Sequence, residues 1–397
     1  MNREDFLMLN KDIIYFDNGA TSLKPKILSG ITSDYYNNYS ANAHRGDYDI
    51  SLKVDNMYEN TRELVKKFIN AKKSREIIFT SGTTDSLNKI IFGYFKYYLK
   101  ENDEVLLTKS EHASNVLPWF ELADVLNLKI KYIDLDENLN LTIENLKKAI
   151  TKNTKVISIA LITNVVGDIR PIKEIIEVAH QNNILVIGDG AQSVAHTKTD
   201  VQDLDIDFLA FSAHKMYGPT GVGVLYGKEE LLNNIRPIIF GGGMNATYSS
   251  DEVRVYSDLP YLLEAGTQNI AGVIGFGEII KYLNNIGMDK IEKYELELKK
   301  YFKEKIKEVK DIILINENTE SAIITFNIKD IFAQDLAIYL NKYHICVRAG
   351  NHCSKILKEE IKIKNTCRAS LSFYNTKEEI DKFIQVLKNP NIKNEII

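Results

Sequence analysis

The strongest constraint on the fold is the alternation of apolar runs with amphipathic stretches between about residues 50 and 230. Helical periodicity marks the stretches 85–99, 142–150 and 172–182, and Pro171 precedes the last of these, where proline suits a helix start. This alternation predicts an α/β unit with a largely parallel sheet covered by helices. The predicted strands are 76–80, 104–108, 129–133, 156–161, 184–188, 208–212 and 223–226.

After about residue 290 the strict alternation of strands and helices ends, and the new order of elements predicts a smaller α+β unit. A long charged helix at 290–310 precedes strands at 312–315 and 322–328, a helix at 333–343 and a strand at 345–348. A closing helix begins at Thr376 with a capping box. We expect a large domain at 15–290 and a small one formed by 1–14 with 291–397, on which the first dozen residues pack.

Length and composition narrow the class of protein. A chain of 397 residues exceeds what one core usually holds, so two domains are expected. The net charge of −4 gives no reason to expect nucleic acid, and neither a secretory signal nor a membrane-length apolar stretch is found. Three cysteines cannot form a full disulfide framework and indicate a reducing, cytoplasmic setting.

Lys215 is the first candidate for chemistry. The apolar strand 208–212 leads through Ser212 and His214 to this lysine, and a Gly/Pro turn follows. A lysine at a strand end is usually a solvated surface charge. Between an apolar strand and a tight turn, however, a desolvated amine can lose its proton and attack a carbonyl. The natural use is a Schiff base to a carbonyl cofactor.

Asp189 ends the apolar strand that precedes the lysine strand. An acid at the end of a buried strand is costly unless a cation faces it, and a protonated pyridine nitrogen would satisfy it. Gln192 could then hydrogen-bond the phenolic oxygen of the same ring. The alternative is that Asp-Gly is only a turn or a helix start. The interval between Asp189 and Lys215 lets another strand intervene, so both can approach one ring.

Two further strand ends carry polar side chains. Thr83 and Thr84 open a helix after a strand, where backbone N–H groups can bind phosphate, although such residues also simply cap helices. His112 follows the strand 104–108 and could stack on a planar ring, although a lone histidine is more often a packing residue. The scattered histidines and cysteines offer no metal set.

Cys353 lies in a polar turn after Arg348, Gly350 and Asn351, which favours exposure and thiolate formation. The other two cysteines are better explained as small buried hydrophobes. Arg368 could clamp a substrate carboxylate in a bidentate fork, although a buried structural arginine is the alternative.

Together these residues resemble the group II (SUF-type) cysteine desulfurases of the class V aminotransferase family. The resemblance extends over nearly the whole chain. Its motifs lie at 15–21, 42–46, 81–84, 111–112, 163–167, 189–192, 211–221, 241–244, 264–267, 348–353 and 367–370.

The resemblance implies a homodimer of the pyridoxal 5′-phosphate (PLP) fold type I, with a mostly parallel seven-stranded sheet and a smaller α+β domain carrying the cysteine loop. Lys215 would hold PLP, Asp189 its pyridine nitrogen, Gln192 its phenolic oxygen, and His112 would stack on the ring. The implied phosphate ligands are Thr83, Thr84, Ser212, His214 and Thr267 of the partner subunit. The implied substrate ligands are Asn164, Arg368, Arg348 and His44.

The implied reaction converts L-cysteine to L-alanine and leaves the sulfur as a persulfide on Cys353. A small acceptor protein would then take it for iron–sulfur cluster assembly or related biosynthesis. Three alternatives stay open at this point: a selenocysteine lyase, a class V enzyme that acts on a small amino acid without a thiol, and a catalytically silent scaffold. The last should have lost Lys215, Asp189 or Cys353, and all three are present.

Overall fold

The computed structural model describes residues 3–44, 46–315, 317–389 and 392–395. The strands are β1 Ile14–Tyr15, β2 Ile77–Thr80, β3 Glu104–Thr108, β4 Lys129–Ile133, β5 Thr154–Ala160, β6 Leu185–Asp189, β7 Phe208–Ser212, β8 Gly223–Gly227, β9 Asn245–Tyr248, β10 Arg254–Tyr256, β11 Ile312–Ile315, β12 Ile323–Ile328, β13 Ile345–Cys346, β14 Arg348–Gly350 and β15 Thr366–Ser370.

The helices alternate with these strands through most of the chain. They are α1 Lys26–Asp34, α2 Asp49–Phe68, α3 Thr83–Ile90, α4 Lys96–Tyr98, α5 Ala113–Leu126, α6 Ile143–Ala149, α7 Ile172–Gln181, α8 Val201–Leu204, α9 Glu229–Leu232, α10 Ile270–Ile286, α11 Met288–Ile306, α12 Ala333–Asn341, α13 Lys358–Ile361, α14 Lys377–Leu387 and α15 Ile392–Glu395. None of these helices is long and apolar enough to cross a membrane.

Within the described residues, seven strands form the main sheet in the order β2–β8–β7–β6–β5–β3–β4. Only the two pairings of β8 are antiparallel, so the predicted mostly parallel seven-stranded sheet is confirmed. Every residue of β2, β3, β7 and β8 is buried, as expected for strands covered on both faces. The edge strand β4 alternates between exposed and half-buried positions until its last residue.

Helices cover both faces of this sheet. One apolar core includes Tyr58 of α2, Ile176 of α7 and Phe276 of α10. The core on the other face includes Ile90 of α3 and Trp119 of α5. The predicted helix 85–99 is found as α3 and α4 joined by a π-helical segment at Ile91–Phe95.

A four-stranded antiparallel sheet, β11–β12–β15–β14, forms in the C-terminal part of the described chain. Helices α11 and α14 pack on it, and the rings of Phe302 and Phe383 lie 5.3 Å apart between centroids. The predicted capping box at Thr376 is confirmed. The domain boundary at residue 290 stays a prediction.

Two expectations for this region need correction. The predicted single strand 345–348 is divided: β13 pairs with β1, whereas β14 pairs with β15, because the chain leaves one sheet and enters another at Val347. The first dozen residues do not pack on the smaller core alone. Phe6 and Leu9 belong to the large core, where the Phe6 ring contacts Tyr217 and Tyr374.

A buried arginine ties together the strand ends beside the sheet's carboxyl edge. Arg170 donates to the Glu111 carboxylate, to Thr108 at 2.7 Å and to the Ala160 carbonyl at 3.2 Å. Its side chain and that of Glu111 are fully buried. The pair therefore fixes the ends of β3 and β5 relative to each other.

We predict that Arg170→Met lowers the free energy of unfolding by about 3–5 kcal/mol, because it leaves the Glu111 carboxylate buried without its cation. The measurement is chemical denaturation followed by circular dichroism. Lys173→Met is the control, since Lys173 pairs with Asp203 on the surface and its loss should leave the free energy of unfolding nearly unchanged. Equal effects of the two substitutions would contradict the structural role of the Arg170–Glu111 pair.

Candidate active site

The site lies where the carboxyl ends of the parallel strands meet, as is usual for open α/β sheets. Asp189 ends β6, Ser212 ends β7 and His112 follows β3. A cavity of about 280 Å³ opens at this edge. Its lining residues are Gly19, Ala20, Thr83, Thr84, His112, Ser114, Ala160, Ile162, Asn164, Asp189, Ala191, Gln192, Ser212, His214, Lys215, Arg348, His352, Cys353 and Arg368.

Lys215 and Asp189 face this cavity together. Burial lowers the pKa of the Lys215 amine to about 8, although Asp189 opposes the shift. Burial likewise raises the pKa of the Asp189 carboxyl to about 6, opposed by the hydrogen bond from the Ala191 N–H and by Lys215. The amine can therefore be neutral near pH 8, and the carboxyl retains acceptor capacity for a cationic group.

Hydroxyl groups and the start of α3 form one wall. The Ser212 hydroxyl lies 2.7 Å from both the backbone nitrogen and the hydroxyl of Thr83. Thr84 contacts the Ser114 hydroxyl at 2.8 Å. Gly223 lies so close behind this wall that a Cβ there would be 2.4 Å from the Gly82 Cα. Hydroxyls and N–H groups at a helix start suit an anion such as phosphate.

The three histidines that line the cavity, His112, His214 and His352, are held in the neutral state by burial. Burial lowers the pKa of His112 to about 4, and the nearby charges of Lys215 and Arg368 lower it further. Its Nδ1 accepts from the Ser114 backbone N–H at 3.1 Å, which fixes the ring at the start of α5. Burial also lowers the pKa of His214 to about 4. A neutral, fixed His112 ring can lie against a planar ligand.

The loop that carries Cys353 reaches the same cavity. His352 and Cys353 both have left-handed backbone angles, with φ of 51° and 58°. The Cys353 carbonyl accepts from the Ala113 N–H at 2.7 Å, which joins the loop to the residue after His112. Cys353 is exposed and Cys367 is buried, as the sequence predicts, whereas Cys346 is only half-buried.

Arg368 is buried at the back of the cavity, where its Nη1 donates to the Asn164 carbonyl at 2.8 Å. Its buried Nε has no hydrogen-bond partner among the described residues. The Asn164 side chain is already engaged: it donates to the His352 carbonyl at 2.7 Å and accepts from Ser354 at 2.9 Å. Gln192 donates to the Gly19 carbonyl at 2.8 Å.

His44 and Thr267 do not line this cavity within the chain, and the substrate-binding role of His44 stays a prediction. Both line a second cavity of about 570 Å³. His44 Nε2 lies 3.3 Å from the Glu59 carboxylate, and its ring packs edge-on against Tyr58 and Tyr261, so the side chain is held against α2. Arg45 of the same motif lies outside the described residues.

Sequence reasoning missed two residues that shape the site. Asp17 receives two hydrogen bonds from Arg348, and Ser114 contacts both His112 and Thr84. Asp17 belongs to the motif at 15–21, and the hydroxyl two residues after His112 was the available signal for Ser114. Among the described residues, no group of three or more His, Cys, Asp or Glu side chains could hold a metal ion.

The fold and the site together define the class of PLP-dependent enzymes of fold type I. The family model for aminotransferase class-V matches residues 14–383. A relative from Halalkalibacterium halodurans, named a probable cysteine desulfurase, is 41% identical over 93% of this chain and 91% of its own.

Two solved structures are also similar. The apo cysteine desulfurase of Thermococcus onnurineus NA1 has a TM-score of 0.94 and 36% identity over 99% of this chain and 97% of its own. The Escherichia coli cysteine desulfurase CsdA has a TM-score of 0.93 and 32% identity over 100% and 98%. The chain therefore belongs to the aminotransferase class-V family, and the predicted fold is confirmed.

We predict that the cofactor-free protein becomes reactive at Lys215 near pH 8, because the neutral fraction of a primary amine rises as pH passes its pKa. The measurement is reductive methylation with formaldehyde at a series of pH values, read by peptide mass spectrometry. Lys173 is the internal control, since its pairing with Asp203 raises the pKa of that amine above the ordinary value. Half-maximal labelling of Lys215 above pH 10 would contradict the prediction.

Proposed function

We propose that this chain is a PLP-dependent cysteine desulfurase that converts L-cysteine to L-alanine and keeps the sulfur as a persulfide on Cys353. The observation that carries the proposal is that Lys215, Asp189 and Cys353 face one cavity. The names of the relatives agree with it. An exposed cysteine in that cavity favours sulfur transfer over class V reactions that use no thiol.

The residues present fit PLP. Asp189 offers a buried carboxylate for the pyridine nitrogen, Lys215 an amine that can lose its proton, and Thr83 with Ser212 a polar wall for phosphate. When bound, PLP supplies an electron-accepting ring that stabilises negative charge at the substrate α-carbon. His112 would contact that ring, and Gln192 would hold its phenolic oxygen.

Lys215 has two tasks. Its Nζ would hold the cofactor. When it is not engaged with the cofactor, the same Nζ would remove the α-proton of L-cysteine and hold it. The lowered pKa of Lys215 suits both tasks, because a neutral amine is the competent nucleophile and base near neutral pH.

The substrate carboxylate binds at Arg368. This guanidinium is buried and lines the cavity, so a carboxylate there can accept its hydrogen bonds. Arg348 adds positive charge at the mouth of the cavity, where its side chain is half exposed. Asn164 contributes its second Nδ2–H, since only one of the two amide N–H groups donates to the His352 carbonyl.

The sulfur moves to Cys353 by nucleophilic attack. The Cys353 thiolate attacks the substrate sulfur, an S–S bond forms, and the C–S bond breaks with its electron pair retained on the β-carbon. The proton of the substrate thiol goes to the β-carbon, the proton held at Lys215 returns to the α-carbon, and L-alanine leaves. The rate of this step depends on the thiolate fraction and on access to Sγ, and Cys353 is exposed.

A homodimer explains the placement of His44 and Thr267. Both face a second cavity in this chain, away from Lys215. We propose that the two-fold partner places this surface over the first cavity, so that Thr267 of the partner subunit contacts the phosphate and His44 of the partner subunit lies near the substrate. A shared site of this kind is compatible with an isologous interface.

The finer assignments are part of the same proposal. The group II subtype rests on the motifs from 15–21 to 367–370. We propose a cytoplasmic enzyme, since a reactive Cys353 thiol needs a reducing compartment, and a small acceptor protein that takes the sulfur for iron–sulfur cluster or related biosynthesis. The proposed domains are 15–290 and 1–14 with 291–397.

We predict that Cys353→Ala retains the yellow bound cofactor but forms no persulfide from L-cysteine, because the sulfur loses its acceptor. The measurement is intact-protein mass spectrometry, which detects one added sulfur atom. Cys346→Ala is the matched control and should keep the wild-type persulfide, since Cys346 is a half-buried thiol outside the cavity. An added sulfur on the Cys353→Ala protein would contradict the proposal.

We predict that Lys215→Ala and Thr267→Asp proteins, each nearly inactive alone, regain about a quarter of wild-type alanine production when they are unfolded together and refolded. Half of the dimers are then mixed, and each of these has one intact shared site. The control is mixing each variant with itself. No recovery would place Thr267 in the site of its own subunit and would contradict the shared arrangement.

A further inference from the structure

A third cavity, of about 90 Å³, adjoins the candidate active site. This α11 cavity is lined by Glu292, Glu295 and Leu296 of α11, together with Gln192, His196 and Ile323. Gln192 lines both cavities, whereas Lys215 and Asp189 line only the active-site cavity. The volume exceeds the roughly 10–15 Å³ that one water molecule needs, so the α11 cavity can admit a small organic ion.

Acidic side chains dominate the polar lining of the α11 cavity. It contains three carboxylates and one imidazole: Glu292, Glu295, Glu320 and His196. In the described part of the chain, no lysine or arginine lines it. Lys299 follows Glu295 by one helical turn, but it donates to the Ile323 carbonyl. Even with His196 protonated, the carboxylates outnumber the positive charge, which favours a cationic ligand.

Glu295 is the buried carboxylate of this group, and only 3% of the residue is exposed. Its Oε2 lies 2.7 Å from His196 Nδ1, whereas its Oε1 has no hydrogen-bond partner among the described residues. Burial lowers the pKa of His196, but the charge and the hydrogen bond of Glu295 outweigh burial and raise that pKa. Because buried polar atoms are nearly always hydrogen-bonded, Oε1 indicates a donor that the described chain does not supply.

Glu292 lies at the exposed rim of the α11 cavity, one helical turn before Glu295. Burial raises the pKa of its carboxyl, and the charges of Asp289 and Glu295 raise it further. Like charges at this helical spacing repel each other. Glu320 is also exposed and adds another acidic side chain to the rim. A cation held between the rim and Glu295 would reduce this repulsion.

The lining favours an organic cation over a metal ion. Among the described residues, no group of three or more His, Cys, Asp or Glu side chains could hold a metal ion, so these carboxylates do not converge on one position. The rest of the lining is largely apolar and includes Ile162, Ile169, Leu296, Ile323 and Leu371. An alkyl group suits such walls. An ammonium suits one free carboxylate oxygen, whereas a guanidinium prefers two.

We propose that the α11 cavity binds a small alkylammonium ion, which donates an N–H to Glu295 Oε1 while Glu292 and Glu320 attract its charge. The inference goes beyond the proposed function and does not depend on it, since binding requires no turnover. The same chemistry can come from a free amine or from the lysine side chain of another protein, and the test separates the two sources.

The test titrates two isomeric cations into the purified holoenzyme by isothermal titration calorimetry at constant ionic strength. Diethylammonium has two N–H donors, whereas tetramethylammonium has the same charge and atomic composition but no N–H. Neither forms an imine with the cofactor aldehyde as a primary amine would. We expect the wild type to bind diethylammonium about tenfold or more tightly than tetramethylammonium, the scale of one hydrogen bond to a charged group.

Three variants locate this preference. Glu295→Gln should abolish it, because the neutral amide no longer offers a charged acceptor. Glu297→Gln is the matched control and should keep it, since Glu297 is exposed on the same helix and does not line the cavity. The double variant Glu292→Gln with Glu320→Gln should weaken both cations about threefold and keep the preference. A merely structural Glu295 would change the affinity for both cations alike.

Equal affinities of the wild type for the two isomers overturn the inference, and so does a preference that survives Glu295→Gln. If Glu295→Gln does not fold, the double variant of Glu292 and Glu320 decides, and unchanged affinities there overturn it. A tripeptide with Nε-methyl-lysine, which carries the same secondary ammonium, identifies the source. Tighter binding of this peptide than of diethylammonium indicates a lysine side chain of another protein, and weaker binding indicates a free amine.

Discussion

Burial of Lys215 beside Asp189 is the interaction on which the candidate site depends. Water would keep the amine charged and the carboxyl ionised, whereas the partly desolvated cavity brings the pKa values of the two groups to about 8 and about 6. Both pKa values therefore lie closer to neutral pH than those of a free lysine and a free aspartic acid. Either group can change its protonation state more readily for that reason. Such a pair is costly to bury, and a cavity that keeps it is a candidate for function.

The strand ends explain why the sequence could predict so much of this site. Asp189, Ser212 and His112 follow strands whose apolar runs are readable without a structure, and the carboxyl ends of neighbouring parallel strands must meet. Their convergence thus follows from the α/β pattern once the strands are ordered. The predicted strand bounds are accurate to within two residues because each run is short, apolar and closed by polar or glycine residues.

Features that depend on pairing between distant segments could not be predicted in this way. Nothing local indicates that Asp17 bridges to Ser370, or that the chain changes sheets at Val347. Phe6 joins the large core through contacts with aromatic rings more than 200 residues away. The separation of His44 from Lys215 depends on tertiary packing, which a single sequence without aligned relatives does not encode locally.

The backbone around Cys353 shows how an exposed thiol can still be placed accurately. Two successive non-glycine residues in the left-handed region cost roughly 1–3 kcal/mol each, so the loop needs compensating contacts. It has them on both sides: the Cys353 carbonyl is bonded to Ala113, and Ser354 is bonded to Asn164. Both anchors follow strands of the main sheet. The thiol is therefore positioned by the strand ends that position the rest of the cavity, while its own side chain stays exposed.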